Sequence, residues 1–360
     1  MNSRERVTVA LSGKEPDRTP FAWGFGPQPP VIGELEVWCA HHGCDWPTLR
    51  DGVSDILRIE DQYIGPPPQG GEWGIRTKDV SYGAGVYQEF VGHPLAGLED
   101  AQQLETVRWP SPDWFDYEEM LRKARRHDPQ HQKAWMLPLS IGGNPFEIYT
   151  WMTGMEEAMV NLITNPRLVQ SALNRICVYF TGRLARAAKT FGDEVDLLHI
   201  ADDLGGQNGL LFSLETYRHV VKPFHRRLIE NARRVLPNVK IFHHSDGAVF
   251  DILPDLIDVG IDGLEAVQTD AVGMDPRRLK DTYGRCLAFH GGISVQRLLP
   301  YADAATVRHE CRQLCQIFGR CGRYIAAPSH AIQAGTPVEN IWAMLRGVLG
   351  KFEPENFGTT

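Results

Sequence analysis

Short apolar runs alternate with longer amphipathic stretches along most of the chain. The runs fall at residues 135–141, 195–200, 239–243, 263–267, 286–289 and 324–327. They are short and lack strict polar–apolar alternation, the pattern of strands covered on both faces. Between them, apolar residues recur at helical spacing over 154–163, 166–191, 214–235, 249–259, 276–281, 304–318 and 337–349. Asn165-Pro166 and Asp275-Pro276 place proline in a first helical turn, and Ser213 and Thr336 stand where N-caps belong. Strand–helix alternation predicts a parallel sheet with helices outside it. An open doubly wound sheet would alternate in the same way, but no Gly-x-Gly-x-x-Gly loop opens a helix. The expected fold is α/β, a (β/α)8 TIM barrel spanning residues 1–360 as one domain, with regular units over 115–350. Residues 1–110 are rich in Gly and Pro, as at 65–71, and are expected to form loops, short strands and a lid.

Composition narrows the function. At 42% hydrophobic and 23% charged, the 360 residues are ordinary for a globular chain large enough to bury a core unaided. A net charge of −8 with no block of like charge argues against nucleic acid as main partner, because phosphate binding needs a basic face. No run approaches a membrane span, and Arg4, Glu5 and Arg6 with no apolar core after them are unlike a secretory leader. Seven scattered cysteines (Cys39, Cys44, Cys177, Cys286, Cys311, Cys315, Cys321) suggest no disulfide framework and a cytoplasmic location. Cys311, Cys315 and Cys321 read as small hydrophobes. The Cys39-x-His41-His42-x-Cys44 cluster has no second Cys/His pair to complete a zinc knuckle.

The late strands run into ionisable residues. Asp202-Asp203 follow one, His243-His244-Ser245-Asp246-Gly247 the next, then come Glu265, His290-Gly291-Gly292 and Pro328-Ser329-His330. In a barrel these ends share one rim, where catalysis takes place. One such residue reads as solvated loop; five convergent ends read as a site. His244, Asp246, Glu265 and His330 supply two imidazoles and two carboxylates, a donor set suited to zinc. Without metal, His244 and Asp246 would bind polar groups of a substrate and His330 would act as acid or base. Asp202, Asp203, His290 and His330 are the candidate catalytic residues. Glu147, after Gly142-Gly143, is expected at the same rim, where it binds substrate or caps a helix. Trp23, Phe25 and Tyr63, with Trp73 and Tyr82, are expected to wall an aromatic pocket or pack a lid. His225 is expected to pack or be solvated on its helix.

Several stretches together resemble the uroporphyrinogen decarboxylase superfamily, in the branch of corrinoid-dependent methyltransferases and O-demethylases. They are Arg4-Glu5-Arg6-Val7, residues 14–20, Asp202-Asp203-Leu204-Gly205, residues 213–217 and 221–225, His244-Ser245-Asp246-Gly247, residues 289–293 and residues 327–333. The resemblance covers nearly the whole chain and implies the same barrel. It also implies zinc, which that branch holds with His-x-Cys and a later Cys, sometimes with a Glu between. Here Asp246 and His330 stand at the two sulfur positions, and Glu265 suits the intervening one. The departure disfavours thiol activation and favours activation of a small O- or N-methylated donor, aromatic ethers among them, with a metal or His330 stabilising the leaving group. The chain has no Asp-x-His-x-x-Gly cobalamin segment, so the corrinoid is expected on a separate partner protein; relatives also suggest a homodimer. Residues 21–27 are apolar where a porphyrinogen decarboxylase carries arginines. A cofactor-free decarboxylase is therefore the second reading, beside a non-catalytic small-ligand binder.

Overall fold

In a computed structural model, which describes residues 1–67, 70–83 and 85–357, all six apolar runs form strands. Pro68 and Gln69 of the Gly/Pro-rich run lie outside the described residues. The strands are β1 (Ile56–Arg58), β2 (Arg76–Ser81), β3 (Val86–Gly92), β4 (Ala134–Leu137), β5 (Leu197–Ala201), β6 (Lys240–His244), β7 (Gly263–Ala266), β8 (Ala288–Ile293) and β9 (Tyr324–Pro328). Seven of them form a curled, all-parallel sheet in the order β1-β4-β5-β6-β7-β8-β9; β2 and β3 form a separate antiparallel hairpin.

Proline chemistry explains where the predicted bounds shift. The 135–141 run breaks at Pro138, after which Leu139–Gly142 is a short helix. The 214–235 helix is interrupted by a π turn at Tyr217–Val221, just before Pro223, which has no N–H to continue the ladder. Asn165, Ser213 and Asp275 cap their helices as expected, whereas Thr336 does not, because the last helix starts one residue later with Pro337 in the cap position. The first 110 residues are more regular than expected. Helices Ser3–Leu11, Pro29–His41 and Trp46–Val53 precede β1. The prolines at 29, 30 and 47 open helices here, and the Asn2/Glu5 capping box starts the first.

Residues 20–22 join the two edges of the sheet. The Ala22 N–H donates to the Ala326 carbonyl (3.0 Å) and the Ala326 N–H to Pro20 (2.8 Å) on the β9 side; beside β1, the Asp55 N–H donates to Phe21 (2.7 Å). An eighth strand is thus reduced to one bridge: Pro20 has no donor, and Gly24, with φ +59°, turns the chain away. Asp55 anchors this junction. It is fully buried and accepts from Arg6 Nη1 (2.7 Å), Arg18 Nη1 (2.7 Å) and the Phe21 N–H (2.8 Å).

The inner face of the sheet is layered. Ile56, Ala134, Met136, Leu197, Phe242, Ala288 and Ile325 form an apolar floor, met by Val7, Leu11 and Ala22. Side chains alternate along a strand with period two. One pleat further, the same face therefore carries Arg58, His199, His244 and His290, with Glu265 in register between His244 and His290. Beyond β6 the chain turns sharply at Gly247 (φ +82°), where a Cβ would collide with the Gly205 carbonyl. That close approach brings the loop after β6 onto the loop after β5. No helix among the described residues is long and apolar enough to cross a membrane.

Two stability predictions follow from these constraints. Asp55→Ala removes the buried anion shared by Arg6, Arg18 and the Phe21 N–H, leaving Arg6 only Asp17 as an anionic partner, and is expected to lower unfolding free energy by about 3–5 kcal/mol in urea titration. Gly247→Ala forces a strained backbone and is expected to cost about 1–3 kcal/mol. A wild-type-like midpoint for either variant would contradict its assigned role.

Candidate functional site

Glu265 on β7 is buried between two imidazoles. Its Oε2 lies 2.9 Å from His244 Nδ1 and 2.5 Å from His199 Nε2. Burial alone would raise the carboxyl, but the two imidazoles hold it well below the usual range. Burial likewise lowers His244, yet Glu265, Asp246 and Asp203 outweigh it and push its pKa up to about 10. Burial lowers His199, which also accepts from Arg58 Nη2 (3.0 Å) at Nδ1; that contact leaves the Nε2 proton facing Glu265.

The opposite nitrogen of His244 faces a second group. Nε2 lies 3.6 Å from Asp203 Oδ1 and 3.7 Å from Asp246 Oδ1, and Asp246 Oδ1 is buried without a hydrogen-bond partner. Asp203 is oriented by the Asp246 N–H (2.8 Å). His330 stands beside them, its Nε2 3.9 Å from Asp246 Oδ2, with 41% of its side chain exposed. Burial raises Asp246, against the pull of His244.

Two sets of three donors could therefore hold a metal among the described residues: His199, His244 and Glu265, or Asp203, His244 and Asp246. Donors 2.0–2.2 Å from a tetrahedral ion sit roughly 3.3–3.6 Å apart. The first set draws both imidazoles closer to Glu265 than that, at 2.5 and 2.9 Å. In the second, His244 Nε2 lies 3.6 and 3.7 Å from the two carboxylates, near that spacing; it contains an unpartnered buried oxygen, and its imidazole is oriented from behind by a carboxylate, as metal-binding histidines commonly are. Its donors are all oxygen or nitrogen, which suits zinc or a harder divalent ion.

The expected rim residues thus separate into groups. His244, Asp246, Asp203 and His330 come together, while Glu265 backs His244. Asp202, expected to be catalytic, is fully buried. Its oxygens accept from the Glu147 N–H (2.8 Å), the Phe146 N–H (2.9 Å) and His225 Nε2 (2.6 Å), so it ties β5 to two helices. His225 packs in the interior and bonds Tyr217 through Nδ1 (3.0 Å). Glu147 reaches the site: burial and then Asp203 push its carboxyl up to about 8. His290 lines the cavity with neither ring nitrogen hydrogen-bonded, and burial lowers it to about 4.

Of the aromatic residues, Phe25 is central. Its ring centroid is 5.0 Å from that of His244 and 5.1 Å from that of His330, and Arg58 Cζ lies 5.0 Å from it. Trp23 borders the cavity but is mainly a packing residue, donating to the Arg50 carbonyl (2.9 Å). Tyr63, expected to wall a pocket or pack a lid, packs on Trp114 and Phe115 and donates to Pro66. Trp73 packs on Tyr179, and Tyr82 bonds Gln28. Cys39 and Cys44 are buried, and His42 stacks on Trp38. Sequence reasoning missed His199 and Arg58. Each is a polar residue two positions from an inward apolar one, a period-two signal that was available.

No curated protein matches the sequence. The structure resembles that of a methyltransferase from Methanosarcina mazei, with a TM-score of 0.68 at 18% identity over 97% of this chain and 99% of that one; at this identity the likeness concerns fold. A native xylanase 10B from Thermotoga maritima, at a TM-score of 0.42 and 10% identity over 71% of this chain and 91% of that one, is too distant to argue from. The model of the family described as uroporphyrinogen decarboxylase (URO-D) matches residues 118–349, which carry β4 to β9 and every donor of the rim, and the protein belongs to that family.

Proposed function

We propose that the protein is a methyltransferase component that takes a methyl group from a small O- or N-methylated compound and delivers it to a corrinoid on a separate protein. The supporting observation is His244, fixed through Nδ1 by Glu265 and presenting Nε2 to Asp203 and Asp246 in a rim without thiolate donors. In this reading the chain is one domain, and residues 20–22 complete a (β/α)8 barrel as a vestigial eighth strand.

His244, Asp203 and Asp246 would hold a zinc ion, with His330 beside them. When bound, zinc supplies Lewis acidity to the oxygen or nitrogen from which the methyl departs. The chain's own residues do the rest. Phe25 walls the donor, and the Glu265–His199–Arg58 chain fixes His244. His330, the exposed imidazole at the rim, returns a proton to the leaving alkoxide, phenolate or amine. The C–O or C–N bond breaks heterolytically, its electron pair stays on the leaving atom, and the reduced corrinoid supplies the pair for the new bond to carbon.

Two measurements test this. Plasma mass spectrometry should find about one zinc per chain, lost in His244→Ala and in Asp246→Ala. No metal after zinc loading and gentle desalting would contradict the site. With a reduced corrinoid protein and a panel of methyl ethers and methylated amines, methyl transfer should fall at least about a hundredfold on chelation and return with zinc. Chelator-insensitive release of carbon dioxide from a carboxylated substrate would support the decarboxylase instead.

A further inference from the structure

We propose that the cavity holds an anion subsite at Arg58 and His290, which takes the carboxylate of a small acid. The subsite stands apart from the methyl-transfer reading.

Arg58 closes β1 and reaches into a cavity of about 300 Å³ that His199, Glu265 and His290 also line. Two of its N–H groups are used, by the Gly24 carbonyl (2.8 Å) and His199 Nδ1 (3.0 Å). A guanidinium has five, so three remain. Among the described residues no carboxylate pairs with Arg58, and the nearby charge of Glu265 is already shared by two imidazoles. A largely buried cation without a partner is costly, and an incoming carboxylate removes that cost. Other cations bordering the cavity are engaged. Arg50 pairs with Asp51 (2.8 Å), Lys123 donates to Gln62 (2.5 Å), and Lys133 donates to the Ser54 carbonyl (2.9 Å).

His290 is the second, independent observation. It is 4% exposed, lines the same cavity and has no hydrogen-bond partner at either ring nitrogen. Buried polar atoms are normally satisfied, so this imidazole has a donor to offer a ligand. A carboxylate held by the Arg58 fork and by His290 would satisfy both groups.

Phe25 walls the subsite: it lines the same cavity, and Arg58 Cζ lies 5.0 Å from the centroid of its ring. Arg58 and Phe25 both lie outside residues 118–349, in the part of the chain that the family model does not match.

Calorimetric titration of the purified full-length protein with 3-methoxybenzoate, 3-methoxybenzamide and benzoate tests the subsite. The acid should bind about ten- to a hundredfold tighter than its isosteric amide. R58Q should abolish that preference. R58K keeps the charge but not the fork, so it should retain part of the preference; it also serves if R58Q fails to fold. Equal affinity of acid and amide in the wild type, an acid preference that survives R58Q, or no binding of any probe would overturn the proposal. An intact acid preference without methyl transfer to a corrinoid protein would support the subsite and remove the methyl-transfer reading.

Discussion

Glu265 is held, almost fully buried, between the imidazoles of His199 and His244, and the rest of the rim is arranged around that contact. A buried carboxylate survives as an anion only when its lone pairs are taken up by donors. Here the two imidazoles do so, and the geometry of each is fixed in return. Through its Nδ1 contact, His244 directs Nε2 outward at Asp203 and Asp246. Through its Nε2 contact, His199 leaves Nδ1 free to accept from Arg58, which in turn holds the Gly24 carbonyl. One chain of contacts therefore runs from β7 across β6, β5 and β1 to the segment that carries Phe25.

The fold supplies this arrangement through parallel register and two tight junctions. Register alone sets His244, Glu265 and His290 side by side on neighbouring strands. The Gly247 turn presses two loops together, and with them Asp203 and Asp246. At the other end, Asp55 and its two arginines hold residues 20–22 between the edges of the sheet. Apolar side chains fill the lower layer, which frees the upper one to carry charge. Asp202 belongs to this scaffold: it anchors the first turn of helix Pro145–Thr153 through two backbone N–H groups, a favourable place for a carboxylate.

Much of this was legible in the sequence. The six late strands could be read because both faces are covered, which gives unbroken apolar runs, and the helices could be read from Asn165, Ser213 and Asp275. His244, Asp246, Asp203 and Glu265 were found because they end or follow such runs. What escaped was decided by tertiary packing. Asp202 and Asp203 are adjacent and chemically identical, yet only the fold sends one into the interior and the other to the rim. Tyr63 looks like any aromatic near a mouth, and the sequence does not show its packing on Trp114 and Phe115. Arg58 was hidden because prolines that open helices read as loop punctuation, which concealed β1. His199 was hidden inside a run counted as apolar, although its place between Leu197 and Ala201 on one pleat face marks it as inward.

The central claim is that a metal binds on the outer side of His244, among oxygens, with Glu265 behind it. X-ray absorption at the zinc edge of the loaded protein tests this most directly. The account predicts only nitrogen and oxygen scatterers at about 2.0–2.2 Å, with at least one imidazole, and an unchanged nearest shell in His199→Ala. A sulfur scatterer near about 2.3 Å, or a nearest shell that changes when His199 is removed, would contradict it.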